Sequence, residues 1–197
     1  MKFYDFEQMK TILEPTLNKE RYTHTLGVMY TSAALAMRYD GSLLDAQAAG
    51  LLHDCAKCIP NDKKIILCNH YGIPVSSYEK KNPSLLHTKL GAYMAEKNYG
   101  VGSEDVKNAI RYHTTGRPNM SLLEQILYVA DYIEPSRDQA PNLAQMRKLA
   151  FVDLEEALFR IMEGTISYLK KSEKEIEPTS FEAFEYYKEK RSLNKEV

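Results

Sequence analysis

Apolar positions along the chain recur at helical spacing, and the stretches between them carry capping residues and prolines rather than strand-like alternation. Asn18 predicts the start of a helix from about Lys19 to Tyr39. Ser42 with Asp45 predicts a capping box for a second, from Leu43 to about Asp54, which the adjacent pair His53-Asp54 closes. Residues 56–83 contain Pro60, Asn61, Gly72, Pro74 and Pro83 and read as an irregular excursion, with a short helix around Lys63 to His70. Ser84 is expected to cap a helix running through about Asn98. Ser103 should open another, with Val106, Ala109, Ile110 and His113 on one face and Thr114-Thr115-Gly116 at its end. Ser121 with Glu124 then forms a capping box before LLEQILYVADYIE, a mainly apolar helix stopped by Pro135.

Asp153 with Glu156 is expected to cap a long helix whose Leu154, Leu158, Ile161, Met162, Thr165 and Leu169 keep a helical period. The segment KKSEKEIEP is charged and linker-like, and a final helix after Pro178 offers Phe181, Phe184 and Tyr187 as apolar contacts. No segment of strand length alternates convincingly, no repeat is visible, and no glycine-rich phosphate loop occurs. The pattern predicts an all-α fold.

Composition narrows the classes. A chain of 197 residues with 44% hydrophobic content can bury one substantial core. A single domain over 1–172 is therefore expected, with 173–197 as a charged linker and a helix packing on it. The 26 basic and 27 acidic residues nearly cancel, so no global field favours nucleic acid or an anionic membrane, and anion binding has to be local. The charged, amphipathic start MKFYDFEQMKTILEP lacks a signal peptide's apolar centre, and no later run approaches membrane-spanning length, so a cytoplasmic protein is expected. Three cysteines fit reduced thiols rather than a disulfide framework. Cys55 and Cys58, with Cys68 and His70 nearby, are too poorly spaced for a convincing structural zinc site. His70, in the irregular excursion, reads as a surface residue.

The chemistry lies in residues scattered over separate predicted helices. His24, the pair His53-Asp54, His87, His113 and Asp131 each belong to a different element, and taken singly each histidine is more simply a hydrogen-bonded core residue. Asp131 is harder to place that way. An ionised carboxylate amid Val129, Ala130, Tyr132 and Ile133 must find a cation or several donors, or else raise its pKa, and its simplest structural partner is a nearby arginine. Four histidines and two aspartates together suit a nitrogen and oxygen site for iron, manganese or zinc.

These residues carry a family resemblance. His24, His53-Asp54 and Asp131 look like the metal signature of the HD-domain phosphohydrolase superfamily. RYTHTLGVM at 21–29, HDCAK at 53–57, HTKLGAY at 87–93, AIRYHTTGRPNMSLLE at 109–124 and YVADYIEPSR at 128–137 closely resemble the YqeK family, over about residues 18–170. After Pro178 that family tends to carry an Asn-aromatic pair where this chain has Glu185-Tyr186. The resemblance implies an HD-domain helical bundle with a C-terminal helical extension, and symmetrical hydrolysis of diadenosine tetraphosphate into two ADP. It also implies one or two divalent ions, iron foremost, bound by His24, His53, Asp54 and Asp131. His87 and His113 would face the same cavity and either hold a second ion or meet phosphate.

Phosphoanhydride hydrolysis needs a nucleophile at neutral pH and positive groups to offset the charge that attack develops. Lys57, Arg21 and Arg137 each neighbour a ligand in the sequence, and Thr114 offers a hydroxyl or backbone donor beside His113. The expected catalytic set is Asp54, Lys57, His87 and His113. Arg21, Lys57, His87, His113, Thr114 and Arg137 form the expected substrate set. Two other readings use the same pocket: hydrolysis of deoxynucleotides or nucleoside monophosphates, and a nucleotide-binding regulatory module with little turnover. A homodimer through the apolar C-terminal helix is one further arrangement the pattern allows.

Overall fold

The computed structural model describes residues 4–193, which contain α-helices, short 3-10 turns and no strand. The first four helices are α1 (Phe6–Leu13), α2 (Lys19–Arg38), α3 (Leu43–Leu52) and α4 (Asn61–His70). Then come α5 (Ser77–Lys81), α6 (Leu86–Tyr99), α7 (Glu104–Tyr112) and α8 (Leu122–Ile133). The last are α9 (Leu143–Ala150), α10 (Leu154–Lys171) and α11 (Pro178–Leu193). The expected all-α class holds. Among the described residues no helix is long and apolar enough to cross a membrane.

The main core forms where α8 packs against α2, α3, α7 and α10. Leu127, Val129 and Ala130 of α8 are wholly buried, as are Ala46, Ala48, Ala49, Leu51 and Leu52 of α3. A helix apolar on every side is an interior helix, which is why α3 lies between α2, α7 and α8. Its contact with α2 is the most extensive in the molecule. At Gly50 the helices approach so closely that a Cβ there would lie 2.7 Å from the Met29 Cα.

Several helix starts follow the expected local chemistry. Asn18 accepts from the Arg21 N–H at 2.8 Å, and Asp153 accepts from the Glu156 N–H at 2.9 Å. Ser121 and Glu124 form a complete capping box at α8. Ser42 accepts from the Asp45 N–H, while Asp45 also accepts from the Tyr4 hydroxyl at 2.7 Å.

Other expectations are corrected. Helix α3 stops at Leu52, so His53 and Asp54 stand in the turn after it. The excursion is more ordered than its prolines suggest. Helix α4 starts at Asn61, α5 is opened by a capping box between Ser76 and Glu79, and Ala56, Cys68, Leu86 and Leu90 form a small core that includes one face of α4. Ser84 does not cap α6; it lies in a 3-10 turn, and α6 follows from Leu85 without a side-chain cap. On α10, Thr165 is exposed and Leu169 only half-buried, whereas Ala157, Phe159 and Ile166 are buried, because the last turns extend past the core.

Helix α11 lies against α10. Phe184 stacks on Phe159 with ring centroids 5.9 Å apart, and the buried Tyr187 hydroxyl accepts from the Met120 N–H at 3.0 Å. Arg191 grips Glu156 through two bonds of 2.7 and 2.9 Å, and Lys190 pairs with Glu155. Phe181, expected as a third contact, remains 41% exposed.

Candidate metal centre

Three histidines are fixed by one local device. His53 and His113 are the C-terminal caps of α3 and α7, and His87 lies in the first turn of α6. Each directs Nδ1 at the carbonyl three residues earlier: Gly50 at 2.7 Å, Ser84 at 2.6 Å and Ile110 at 2.8 Å. A carbonyl only accepts, so the proton sits on Nδ1 and the lone pair on Nε2. His24, inside α2, directs its Nδ1 at Glu134 Oε1, 3.0 Å away. All four rings therefore present Nε2 to a shared interior.

The Nε2 atoms meet two carboxylates there. His24 Nε2 lies 3.1 Å from Asp131 Oδ1, and His53 Nε2 lies 3.4 Å from Asp54 Oδ2. Asp54 Oδ1 is 3.2 Å from His87 Nε2 and 3.6 Å from His113 Nε2, and the two ring nitrogens are 3.3 Å apart. Lone pairs facing oxygens and one another at these distances repel unless a cation or proton stands between them. Consistent with that, His24 Nε2, His53 Nε2 and Asp54 Oδ1 are buried without a hydrogen-bond partner among the described residues. The ligand atoms of His24, His53 and Asp131 lie within 4.8 Å of one another, and so do those of His53, Asp54 and His113. Such a donor set fits a divalent ion.

Electrostatics agree. Burial would raise the Asp54 carboxyl, but the imidazoles around it, His53 first, hold it well below the usual carboxylate range. Asp131 is likewise held low against burial, by His24, then His53, His113 and Arg137. Burial opposes charge on His24, yet Asp131 and Glu134 outweigh it and raise its pKa. In this respect a proton does at His24 what a metal ion would do by displacing it. His87 goes the other way, pushed down to about 4 chiefly by burial.

All three cations singled out from the sequence reach the centre. Arg21 Nη1 donates to Asp54 Oδ2 at 2.8 Å, and Arg137 Nη2 donates to Asp131 Oδ1 at 2.9 Å. Lys57 Nζ lies 3.2 Å from His87 Nε2 and 3.8 Å from Asp54 Oδ1. Beside them opens a cavity of about 440 Å³, lined in part by Arg21, His24, Ser136 and Arg137. Thr114 follows His113 on the exposed side of its turn. The cysteine reading finds no support: Cys58 is exposed, while Cys55 and Cys68 are buried free thiols. His70 is exposed, as expected, although it closes α4 rather than sitting in a loop.

Sequence reasoning missed the residues behind the ligands. Glu134 backs His24 and is itself held by the Ser136 N–H and hydroxyl. Buried Lys64 donates to the Lys57 carbonyl at 3.2 Å, and Arg147 donates to the carbonyls of Ile133, Glu134 and Arg137. Only the charge of Glu134, one turn after Asp131, hinted at a role.

A helical bundle that turns four imidazoles and two carboxylates onto one interior defines a class of metal-dependent protein. The chain belongs to the HD domain family, whose model matches residues 21–136, a span holding every ligand described above. The symmetrical bis(5'-nucleosyl)-tetraphosphatase of Bacillus subtilis is 39% identical over 175 residues, covering 89% of this chain and 93% of that protein. Its namesake in Staphylococcus aureus is 32% identical over 187 residues, covering 93% and 94% of the two chains. A solved structure from Clostridium acetobutylicum, described as a predicted HD superfamily hydrolase involved in NAD metabolism, superposes with a TM-score of 0.91. It is 39% identical, and the match covers 96% of this chain and 100% of that one. The resemblance seen in the motifs is borne out.

Proposed function

We propose that the protein is a metal-dependent hydrolase that cleaves diadenosine tetraphosphate symmetrically into two ADP. The observation that carries this reading is the convergence of four Nε2 lone pairs and two ionised carboxylates, with three cations set around them. Relatives named as symmetrical tetraphosphatases supply the substrate class.

His24, His53, Asp54 and Asp131 would hold the ion, with His113 and His87 available to a second through Asp54. Iron is the proposed native ion, since imidazoles with carboxylates suit iron or manganese and no thiolate joins them. A divalent ion bound there would supply the nucleophile by lowering the pKa of a water to about 7. Hydrolysis would join the water oxygen to one inner phosphorus while the bridging oxygen leaves with the other half, giving two ADP. Arg21 and Arg137, with side chains 31% and 39% exposed, can turn from their carboxylates to phosphate oxygens in the adjoining cavity. Thr114, exposed next to His113, is proposed as a further phosphate donor. His87, neutral at pH 7, serves as an acceptor or ligand and not as the leaving-group acid. That proton falls to Lys57, whose ammonium already reaches His87 Nε2.

Residues 1–172 form the catalytic domain in this reading, and 173–197 its appendage, supported by the Tyr187 and Arg191 contacts. A cytoplasmic location suits a nucleotide substrate. Purified protein loaded with iron or manganese should release ADP alone from diadenosine tetraphosphate, and Asp54→Ala should remove metal and turnover together. ATP with AMP as products, or preferred turnover of nucleoside monophosphates, would overturn the assignment. Tight ADP binding without hydrolysis in any metal would point instead to a regulatory module.

A further inference from the structure

We infer that Glu134 is a positioning residue that sets the affinity of the centre for its ion by fixing His24, an inference resting on the reading of His24 as a ligand. The other three histidines stand at helix ends, where the carbonyl three residues back lies within reach of Nδ1–H. His24 lies in the second turn of α2, where backbone carbonyls are engaged in the helix ladder. Its acceptor must come from elsewhere, and it comes from 110 residues away.

The fold is shaped around that contact. Glu134 is 1% exposed, with Oε2 accepting from the Ser136 N–H at 2.7 Å and Oε1 from the Ser136 hydroxyl at 2.6 Å. Its carbonyl is fastened by Arg147 Nη2 at 2.8 Å. On α2, one turn after His24, stands Gly27, and a Cβ there would lie 2.3 Å from Glu134 Oε2. The glycine leaves the room the carboxylate occupies. A carboxylate behind an imidazole locks its tautomer and strengthens its Nε2 as a donor, more than a neutral carbonyl does. An ion held by His24 with His53, Asp54 and Asp131 would therefore bind more tightly than a second one at His87 and His113, both of whose rings are backed by carbonyls.

The test uses the full chain stripped of metal and titrated with Mn2+ or Co2+ against a chromophoric chelator, with no nucleotide present. Glu134→Gln keeps the volume but turns an amide toward Nδ1. It should weaken the tighter ion by about 10- to 100-fold. Melting temperature should change little, and Glu134→Asp, which restores the carboxylate, should recover part of the affinity. Affinity within twofold of the wild type in a folded Glu134→Gln would overturn the inference. Should that variant fail to fold, Gly27→Ala displaces the carboxylate without altering it, and unchanged affinity there is equally fatal. Wild-type protein that binds no divalent ion would sink the function itself, a result separable from failure of Glu134 alone.

Discussion

Gly50→Ala links packing to the metal centre through one methyl group. The new Cβ would meet the Met29 Cα at 2.7 Å, with the Met29 nitrogen and the Val28 oxygen both at 3.0 Å. All three are backbone atoms of α2, so no side chain can move aside. Normal carbon contacts need about 3.5–4.0 Å, so α2 and α3 must separate by about 1 Å. Overpacking of this kind costs roughly 1–3 kcal/mol. Replacing glycine by alanine inside a helix returns about 0.5–1 kcal/mol. At mid-range values the clash wins by about 1 kcal/mol, which lowers Tm by about 2–4 °C for a chain of this size. Because α2 carries His24 and the Gly50 carbonyl receives His53 Nδ1–H, the same shift should loosen the metal. Thermal melts by circular dichroism and chelator competition read both effects. A variant that melts and binds metal as the wild type does would refute the reasoning.

Gly164→Ala is the counterpart: nothing lies within 4 Å of its Cβ position on α10, so the helix gain of about 0.5–1 kcal/mol should raise Tm by a few degrees. His87 has a folded pKa of about 4, below its ordinary value of 6.5. Its contribution is thus full above about pH 6.5 and lost as pH falls toward 4. Metal-free wild type should lose stability over that window more steeply than His87→Gln, and equal slopes would contradict the assignment. His24, raised, has the opposite sign, its contribution fading as pH rises through its elevated folded value, so comparing the two proteins isolates His87. Tyr187→Phe leaves the Met120 N–H without its partner and should cost about 1–2 kcal/mol in denaturant melts, whereas no loss would mean α11 is not fastened there. Lys57→Met should lower kcat by about 10²- to 10⁴-fold with metal content intact, and loss of metal instead would make Lys57 a support of the ligands rather than a proton donor.

What could be read from the sequence was local. Asn18, the Ser121 and Glu124 box, Asp153 and Pro135 mark helix ends because a cap acts on N–H groups two or three residues away, within reach of any reader of the chain. The six ligand candidates were legible mainly through the motifs they share with the family; singly, the His53-Asp54 pair, His113 at the end of a buried stripe and Asp131 within an apolar helix were the ones that called for partners. Two short pieces were not: α5 has its capping box at Ser76 and Glu79, but five residues are too few to show an apolar period, and α4 packs through Cys68 on the small core with Leu90. Tertiary structure alone decided which nitrogen of His24 faces the centre, because that depends on the acceptor behind the ring, whereas the other three rings are set by carbonyls three residues back. For His24 that acceptor is Glu134, brought across the bundle into the gap left by Gly27. It also decided how far apart the ligands stand, through the contact of Gly50 with Met29, since the distance between two helices is a property of their packed surfaces and of neither helix alone.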